Sequence, residues 1–441
     1  MLPLLSTAQM READARAVAS RGVEGLVSAA GTAVGLEAQR LLGRCYGSRV
    51  AVLAGPGLNG ADGRVAARWL SERGARVDVV DVADQPAELA GYDLVIDAAF
   101  GLGCSRPYVA PSVAPTTPVL AVDLPSGVDA DTGEVLGSPL ASTATLALGA
   151  VKYAHVTGAA AALTGELRFA GLGIVDAFDD GVMEDADLAA LVVGARTDHK
   201  WSHAVQVFAG SPLMPGAAGL VARGALAGGA SMIRLSTRGD VATLSDLPPE
   251  VVRVDAPGVD DRCRAVAAGP GLGPDAAGWL AERLLDVRVP VVLDADALDR
   301  RTLARATPPW VLTPHEGEFA RLTGSPVPAE RVGAVRALAR ETGCVVLLKG
   351  PVTVIASPAG TVRVVRSGTP ALATAGTGDV LTGLLVATIA RGHDPLSAAA
   401  LAAHLHGLAG ARLEAYAPAS EVASGAASIL HRLRQLEWTE G

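Results

Sequence analysis

Thr374-Ala375-Gly376-Thr377-Gly378-Asp379 is a glycine-rich turn that delivers one aspartate to the start of an apolar run, Val380-Leu381-Thr382-Gly383-Leu384-Leu385-Val386-Ala387. Two glycines in three positions let the backbone approach a ligand closely. The apolar run has a helical pattern, so its free N–H groups and positive dipole end face the turn. Such an end holds phosphate. Asp379 then sits where a carboxylate takes a proton from a hydroxyl attacking that phosphate. The plainer possibility is that Asp379 caps the helix.

Other polar clusters fall at the ends of strand-like segments, where open α/β sheets bind ligands. Gly269-Pro270-Gly271-Leu272-Gly273 is a backbone-exposing turn. Asp294-Ala295-Asp296-Ala297-Leu298 places two carboxylates at the next strand end. Thr313-Pro314-His315-Glu316-Gly317-Glu318 and Lys349-Gly350-Pro351-Val352-Thr353 close two more. Either of two simpler roles stays open: His315 ordering its own loop, and Lys349 as a surface charge.

The first half repeats the pattern. Gly55-Pro56-Gly57-Leu58-Asn59-Gly60-Ala61-Asp62-Gly63 lies between a strand and a helix, the setting of a dinucleotide loop, though it departs from G-x-G-x-x-G. Asp97-Ala98-Ala99-Phe100-Gly101-Leu102-Gly103 and Val122-Asp123-Leu124-Pro125-Ser126-Gly127 sit at the next two strand ends.

These residues need rigid elements to hold them. Strands are expected at 48–54, 77–82, 94–97, 119–123 and 145–149, with a helix over 64–73 and an opening helical segment near 6–42. Short apolar strands spaced by helices argue a parallel sheet covered on both faces. After an acidic stretch the pattern restarts at Asp198-His199-Lys200, which places a domain boundary near residue 195. Strands then follow at 205–209, 232–235, 265–267, 291–294, 311–313 and 345–348. A hairpin over 352–365 turns at Ser357-Pro358-Ala359-Gly360, and Ala-rich helix runs from Asp379 to the end.

Composition agrees with tightly packed α/β layers. The 441 residues are half apolar with 3% aromatics, and mean hydropathy is +0.34. That length implies more than one domain. A net charge of −9 without a basic run argues against a nucleic-acid surface. Four scattered cysteines without C-x-x-C indicate neither a disulfide framework nor a zinc site. The start of the chain lacks a basic flank, and no uninterrupted apolar stretch reaches membrane-spanning length. A cytoplasmic protein without membrane contact is expected, and its Ala/Gly-rich surface favours a homo-oligomer.

Taken in order, the clusters from residue 196 to 441 resemble the ribokinase-like kinases, and within them the NAD(P)H-hydrate dehydratases. Those enzymes share the opening His199-Lys200, the Gly-Pro-Gly-Leu-Gly turn, Asp-Ala-Asp-Ala-Leu, Thr-Pro-His-x-Gly-Glu, the Lys-Gly strand end and the Gly376-Thr377-Gly378-Asp379 turn. The resemblance implies a substrate that is a nicotinamide cofactor with water added across a ring double bond. It implies ADP, with Mg2+, as donor: the S hydrate is phosphorylated, and loss of phosphate restores NAD(P)H, leaving AMP and phosphate. Asp379 is then the base. Lys349, Gly350, Pro351, Val352, Thr353 and Gly378 correspond to nucleotide contacts. Gly271, His315 and Asp379, with Ala217 more loosely, correspond to contacts with the hydrate. The residues leave ADP against ATP open.

Residues 1 to 195 resemble NAD(P)H-hydrate epimerases, which interconvert the R and S hydrates. The resemblance implies K+ at Asn59, Asp97 and Ser126. It implies cofactor contacts from Leu58, Asn59, Gly60, Ala61 and Asp62, from Gly101, Leu102, Gly103, Cys104, Ser105, Arg106 and Pro107, and from Asp123, the acid–base candidate. Relatives read Asn-Asn-Gly-Gly-Asp-Gly where this chain has Leu58-Asn59-Gly60-Ala61-Asp62-Gly63. The implied architecture is two three-layer αβα domains: 1–195, Rossmann-like, and 196–441, ribokinase-like. The partners are hydrated NADH or NADPH and ADP. Two alternatives remain: a kinase for a small hydroxylated molecule, and a first half serving as a non-catalytic nucleotide-binding module.

Overall fold

In the computed structural model, residues 2–181 and 182–441 form two compact units. The structure describes every residue apart from 193–198, 240–246, 305–308, 414–416 and 441, with backbone alone for 436–440. The boundary expected near residue 195, and Asp198 in the restart motif, lie outside the described residues. The compact units divide earlier, after Gly181.

The first unit is built on six strands in the order Glu166–Ala170, Ala144–Leu148, Val119–Val122, Leu94–Ala98, Arg49–Ala54, Arg76–Asp81. Every neighbouring pair is parallel. The four central strands are buried almost throughout, which is why they read as unbroken apolar runs. Between Arg49–Ala54 and Leu94–Ala98 the direction of winding reverses. Loops leaving these two strands therefore part on opposite faces, and Asn59 and Asp97 flank the crevice so formed.

The opening helix, Thr7–Leu42, starts at a Ser6 capping box with Gln9 and is broken at Gly22, where φ is +74°. The next helix, Leu58–Ser71, begins at the glycine loop itself, earlier than its apolar pattern suggests. Close packing sets that start. A Cβ on Gly60 would run into the carbonyl of Gly55.

The second unit orders nine strands as Val362–Val365, Thr353–Ala356, Val345–Leu348, Trp310–Leu312, Val291–Leu293, Ala265–Ala268, Ala204–Phe208, Met232–Ser236, Val251–Arg253. The expected hairpin joins the sheet antiparallel, and the remaining pairs among these nine strands are parallel. The Ala-rich tail is three helices, Thr377–Ala390, Pro395–Gly410 and Ala419–Glu440. Thr377–Ala390 is apolar all round because it is buried all round. Small residues allow this. A Cβ on Gly383 would meet backbone of the helix Pro215–Ala227.

Candidate active sites

In the second unit, Gly376 occupies the N-cap of the helix Thr377–Ala390 with φ +92°, and no side chain caps it. Asp379 lies in the first turn but makes no cap, so the helix end and the carboxylate are both presented to a ligand. Thr377 Oγ1 donates to the carbonyls of Leu372 (2.7 Å) and Thr374 (3.0 Å), which ties the turn down. Behind it, burial drives the His406 imidazole down to about 4. His406 is therefore neutral, and its Nε2 lies 2.9 Å from the carbonyl of Thr377.

Lys349 joins this turn to the neighbouring strand ends. Its Nζ is 2.7 Å from Asp294 Oδ1 and 3.7 Å from Glu318 Oε2. With its side chain only 21% exposed, Lys349 is not a surface charge. Burial pulls its ammonium down, yet Asp294, Glu318 and Asp379 together hold it above the ordinary lysine value. Asp294 is the hub: its Oδ2 accepts from Thr382 Oγ1 at 2.7 Å. A Cβ on Gly378 would lie 3.6 Å from Lys349 Nζ and 3.9 Å from Asp294 Oδ2, which places the glycine turn against the pair.

The half-buried Asp379 feels these charges. Burial, then Asp294, raises its carboxyl to about 7 against the pull of Lys349. Such a carboxyl is well placed for a base near neutral pH.

The remaining expected residues divide. Asp296 turns away from Asp294 and accepts the N–H of Gly273 at 2.8 Å, pinning the glycine turn. Gly271 packs against Ala217: a Cβ added there would sit 2.6 Å from the Ala217 methyl. His315 does order its loop, Nδ1 accepting from the N–H groups of Gly317 (3.0 Å) and Glu318 (3.3 Å). Its Nε2 stays on the Glu318 side, 3.4 Å from Oε1. Gly350 is held by Arg331, whose Nη2 donates to the carbonyl of Lys349, and Thr353 Oγ1 donates to the carbonyl of Gly350. Among the described residues no hydrogen bond ties Pro351 or Val352 to the glycine turn.

The first unit holds a cavity of about 470 Å³. Leu58, Asn59, Asp62, Gly101, Leu102, Gly103 and Asp123 line it. Gly60, Ala61 and the segment Cys104 to Pro107 do not. Retained Gly60 is a position where a Cβ would collide with the carbonyl of Gly55. Leu58 is 60% exposed.

Asp97 and Ser126 sit behind the cavity wall. Ser126 donates from Oγ to Asp97 Oδ1 (2.6 Å) and from N to Oδ2 (2.9 Å). Burial raises the fully enclosed Asp97 carboxyl, although these bonds and the Ala99 N–H oppose it. Among the described residues no cationic side chain pairs with Asp97. Asn59 Nδ2 is buried without a partner, and Asn59 Oδ1 would lie 3.4 Å from a Cβ on Gly101. The Asp97 carboxylate, the Ser126 hydroxyl and the Asn59 carbonyl oxygen are hard oxygen donors, whereas the unpartnered Asn59 Nδ2 is an N–H donor.

Sequence reasoning missed Asp14, Lys152 and His155. Asp14 and Lys152 line the cavity, and Lys152 is fully buried against Asp123. Burial, then Asp123 and Asp14, raises Asp62 to about 8. A lysine inside the apolar stretch Leu146-Ala147-Leu148-Gly149-Ala150-Val151-Lys152 was the available signal.

The two sites define an α/β enzyme that pairs a Rossmann-like unit with a ribokinase-like one. Residues 205–432 match the family described as NAD(P)H-hydrate dehydratase, and residues 23–90 and 81–154 match the one described as YjeF-related protein N-terminus. The bifunctional NAD(P)H-hydrate repair enzyme Nnr of Mycobacterium tuberculosis is 38% identical over 399 residues, 82% of each chain. The ADP/ATP-dependent NAD(P)H-hydrate dehydratase of Bacillus subtilis, co-crystallised with ATP/Mg2+, is 30% identical with a TM-score of 0.52, spanning 58% of this chain and 100% of that one. A ribokinase-like superfamily protein of Enterococcus faecalis, 22% identical, shares the fold at a TM-score of 0.52 over 59% of this chain and 99% of its own. The chain belongs to the family of bifunctional NAD(P)H-hydrate repair enzymes. Among the described residues no helix is long and apolar enough to cross a membrane.

Proposed function

We propose that the chain repairs hydrated NADH and NADPH at two sites. The first unit interconverts the R and S hydrates. The second dehydrates the S hydrate with ADP, giving NAD(P)H, AMP and phosphate. The observation that carries this reading is Asp379, raised to about 7 at an uncapped helix N-terminus beside the Lys349–Asp294 pair.

Hydroxide is a poor leaving group, and phosphate is a good one. Asp379 takes the proton from the hydrate's hydroxyl as its oxygen attacks the terminal phosphoryl group of ADP. Amides of Gly376 to Gly378 and the charge of Lys349 face the charge that develops on that group. Phosphate then leaves with its bonding pair as the adjacent ring carbon loses a proton, and the ring double bond returns. His315 and the Gly271–Ala217 contact belong to the hydrate's side of the site, Lys349 to Thr353 to the nucleotide's.

Among the described residues no cluster of three or more His, Cys, Asp or Glu is arranged to hold a metal. Mg2+ fits this site as a companion of the nucleotide phosphates, with Asp294 or Asp379 nearby. In the first unit, Asn59, Asp97 and Ser126 would hold K+, which supplies a positive charge opposite the enclosed Asp97 carboxylate. Asp123 is the acid–base residue there, with the nicotinamide hydrate in the cavity. Free cysteines, three of them buried, suit a reducing cytoplasm. Self-association through the Ala/Gly-rich surface is part of the same reading.

The test is to incubate the chain with mixed hydrated NADH epimers, Mg2+ and ADP, and to follow dihydronicotinamide absorbance. Full recovery of both epimers is expected. No recovery with any nucleoside phosphate defeats the reading, and recovery of one epimer's share defeats the epimerase half.

A further inference from the structure

Asp123 is held at three points. Its backbone is left-handed, with φ +66°, a conformation uncommon for non-glycine residues though one that aspartate tolerates. Its Oδ1 accepts from Lys152 Nζ and from the N–H of Leu148 at 3.1 Å. Lys152 Nζ also donates to the carbonyl of Leu148 at 2.7 Å, which closes a ring around Oδ1. His155 holds the main chain: Nδ1 accepts from the N–H of Lys152 (3.0 Å), so Nε2 carries the proton and donates to the carbonyl of Asp123 (2.6 Å).

We propose that Lys152 and His155 are positioning residues for epimerisation: together they saturate Oδ1 and fix the main chain of Asp123, leaving Oδ2 as the single atom that exchanges a proton with the hydrate. This rests on the epimerase reading of the first unit. No donor among the described residues reaches Oδ2, which would lie 3.6 Å from a Cβ on Gly101 in the cavity wall. Stability alone does not account for the arrangement. A fully buried ion pair is commonly no better than an apolar pair of the same volume. The lysine backbone is itself anchored, since Lys152 pairs with Leu5 in a short parallel ladder.

One oxygen suffices for the chemistry. The added hydroxyl stands on the ring carbon next to nitrogen. Oδ2 takes the hydroxyl proton and the carbon–nitrogen bond opens to an aldehyde, its electron pair passing to nitrogen and into the conjugated carboxamide. Rotation turns the aldehyde face, nitrogen re-adds to the carbonyl carbon, and the new alkoxide recovers the proton from Oδ2. Atoms and charge balance without a co-reactant. Asp14, Asp62 and Arg11 also line the cavity, and none is required as a second base.

The experiment measures R-hydrate conversion by the full chain and by Lys152→Met, with purified S hydrate as a control for the second unit. Loss of positioning lowers kcat about 100-fold with KM within about threefold, while S-hydrate dehydration stays unchanged. A kcat within about threefold of the unaltered chain, or a raised KM with kcat intact, overturns the proposal. If Lys152→Met does not fold, the unaltered chain crystallised with NADPH decides. Oδ2 against the nicotinamide with Oδ1 still on Nζ supports the proposal, and Oδ1 or Nζ against the ring overturns it. An unaltered chain unable to interconvert the hydrates removes the epimerase reading and this inference with it. Failure confined to the variant removes the inference alone.

Discussion

Lys349 Nζ lies 2.7 Å from Asp294 Oδ1, which brings together two strand ends 55 residues apart in the chain. This pair divides the acidic cluster into roles. Asp294 is satisfied by Lys349 and Thr382, whereas Asp379 is left facing the ligand with its carboxyl raised to about 7. Separation of neighbouring carboxyls in this way assigns the base.

The dehydration rate therefore depends on pH with a definite sign. Asp379 must be ionised to accept the hydroxyl proton, and below about pH 7 it is protonated. With saturating ADP and S hydrate, kcat should rise with pH through a limb centred near 7. A rate flat from pH 5 to 8 contradicts this assignment.

Lys349→Met moves that limb. Lys349 lowers the Asp379 carboxyl, so its removal shifts the midpoint to higher pH. It also raises KM for ADP by about tenfold or more, as expected when a charge-assisted contact to phosphate is lost. Steady-state kinetics across pH show both effects, and an unmoved midpoint speaks against the coupling.

The glycine loop of the first unit makes a paired prediction. Gly60→Ala forces a methyl group against the carbonyl of Gly55. It should destabilise the first unit by about 1–3 kcal/mol, the usual scale for overpacking. Ala61→Gly should cost no more than about 1 kcal/mol of helix propensity and leave epimerisation intact. Melting curves and R-hydrate conversion read both variants, and a large gain of epimerase activity in Ala61→Gly would show that the methyl had been harmful.

Potassium supplies a fourth check. Burial raises the Asp97 carboxyl, so a cation bound there should stabilise the folded unit. Replacing K+ by tetramethylammonium should lower its melting temperature and its epimerase rate. Asp97→Asn should abolish that difference, and a K+ response that survives in Asp97→Asn places the ion elsewhere.

Much of this was legible in the sequence because the strands are short, apolar and buried on both faces, and because polar residues cluster where those strands stop. The strand Val345–Leu348 and the hairpin beyond it were placed almost to the residue. Glu166–Ala170 and Val251–Arg253 were missed, as edge strands with partly exposed, polar sequences. Asp294 and Glu318 stood in noted clusters, yet their junction at Lys349 is a tertiary fact that no local spacing carries. Lys152 was overlooked because a lysine at the end of an apolar strand looks like a solvent-facing stop. Its burial goes with its tertiary pairing to Asp123, which no local spacing carries, and with its bond to the carbonyl of Leu148.

The most direct test of the account is Asp379→Asn in the full chain, assayed separately for S-hydrate dehydration and for R-to-S conversion. The substitution keeps shape and removes the base. Dehydration should fall by about 10²–10⁴-fold, the usual worth of a general base, while epimer interconversion continues at the unaltered rate. Dehydration persisting at the original rate in Asp379→Asn would contradict the central role given to this aspartate.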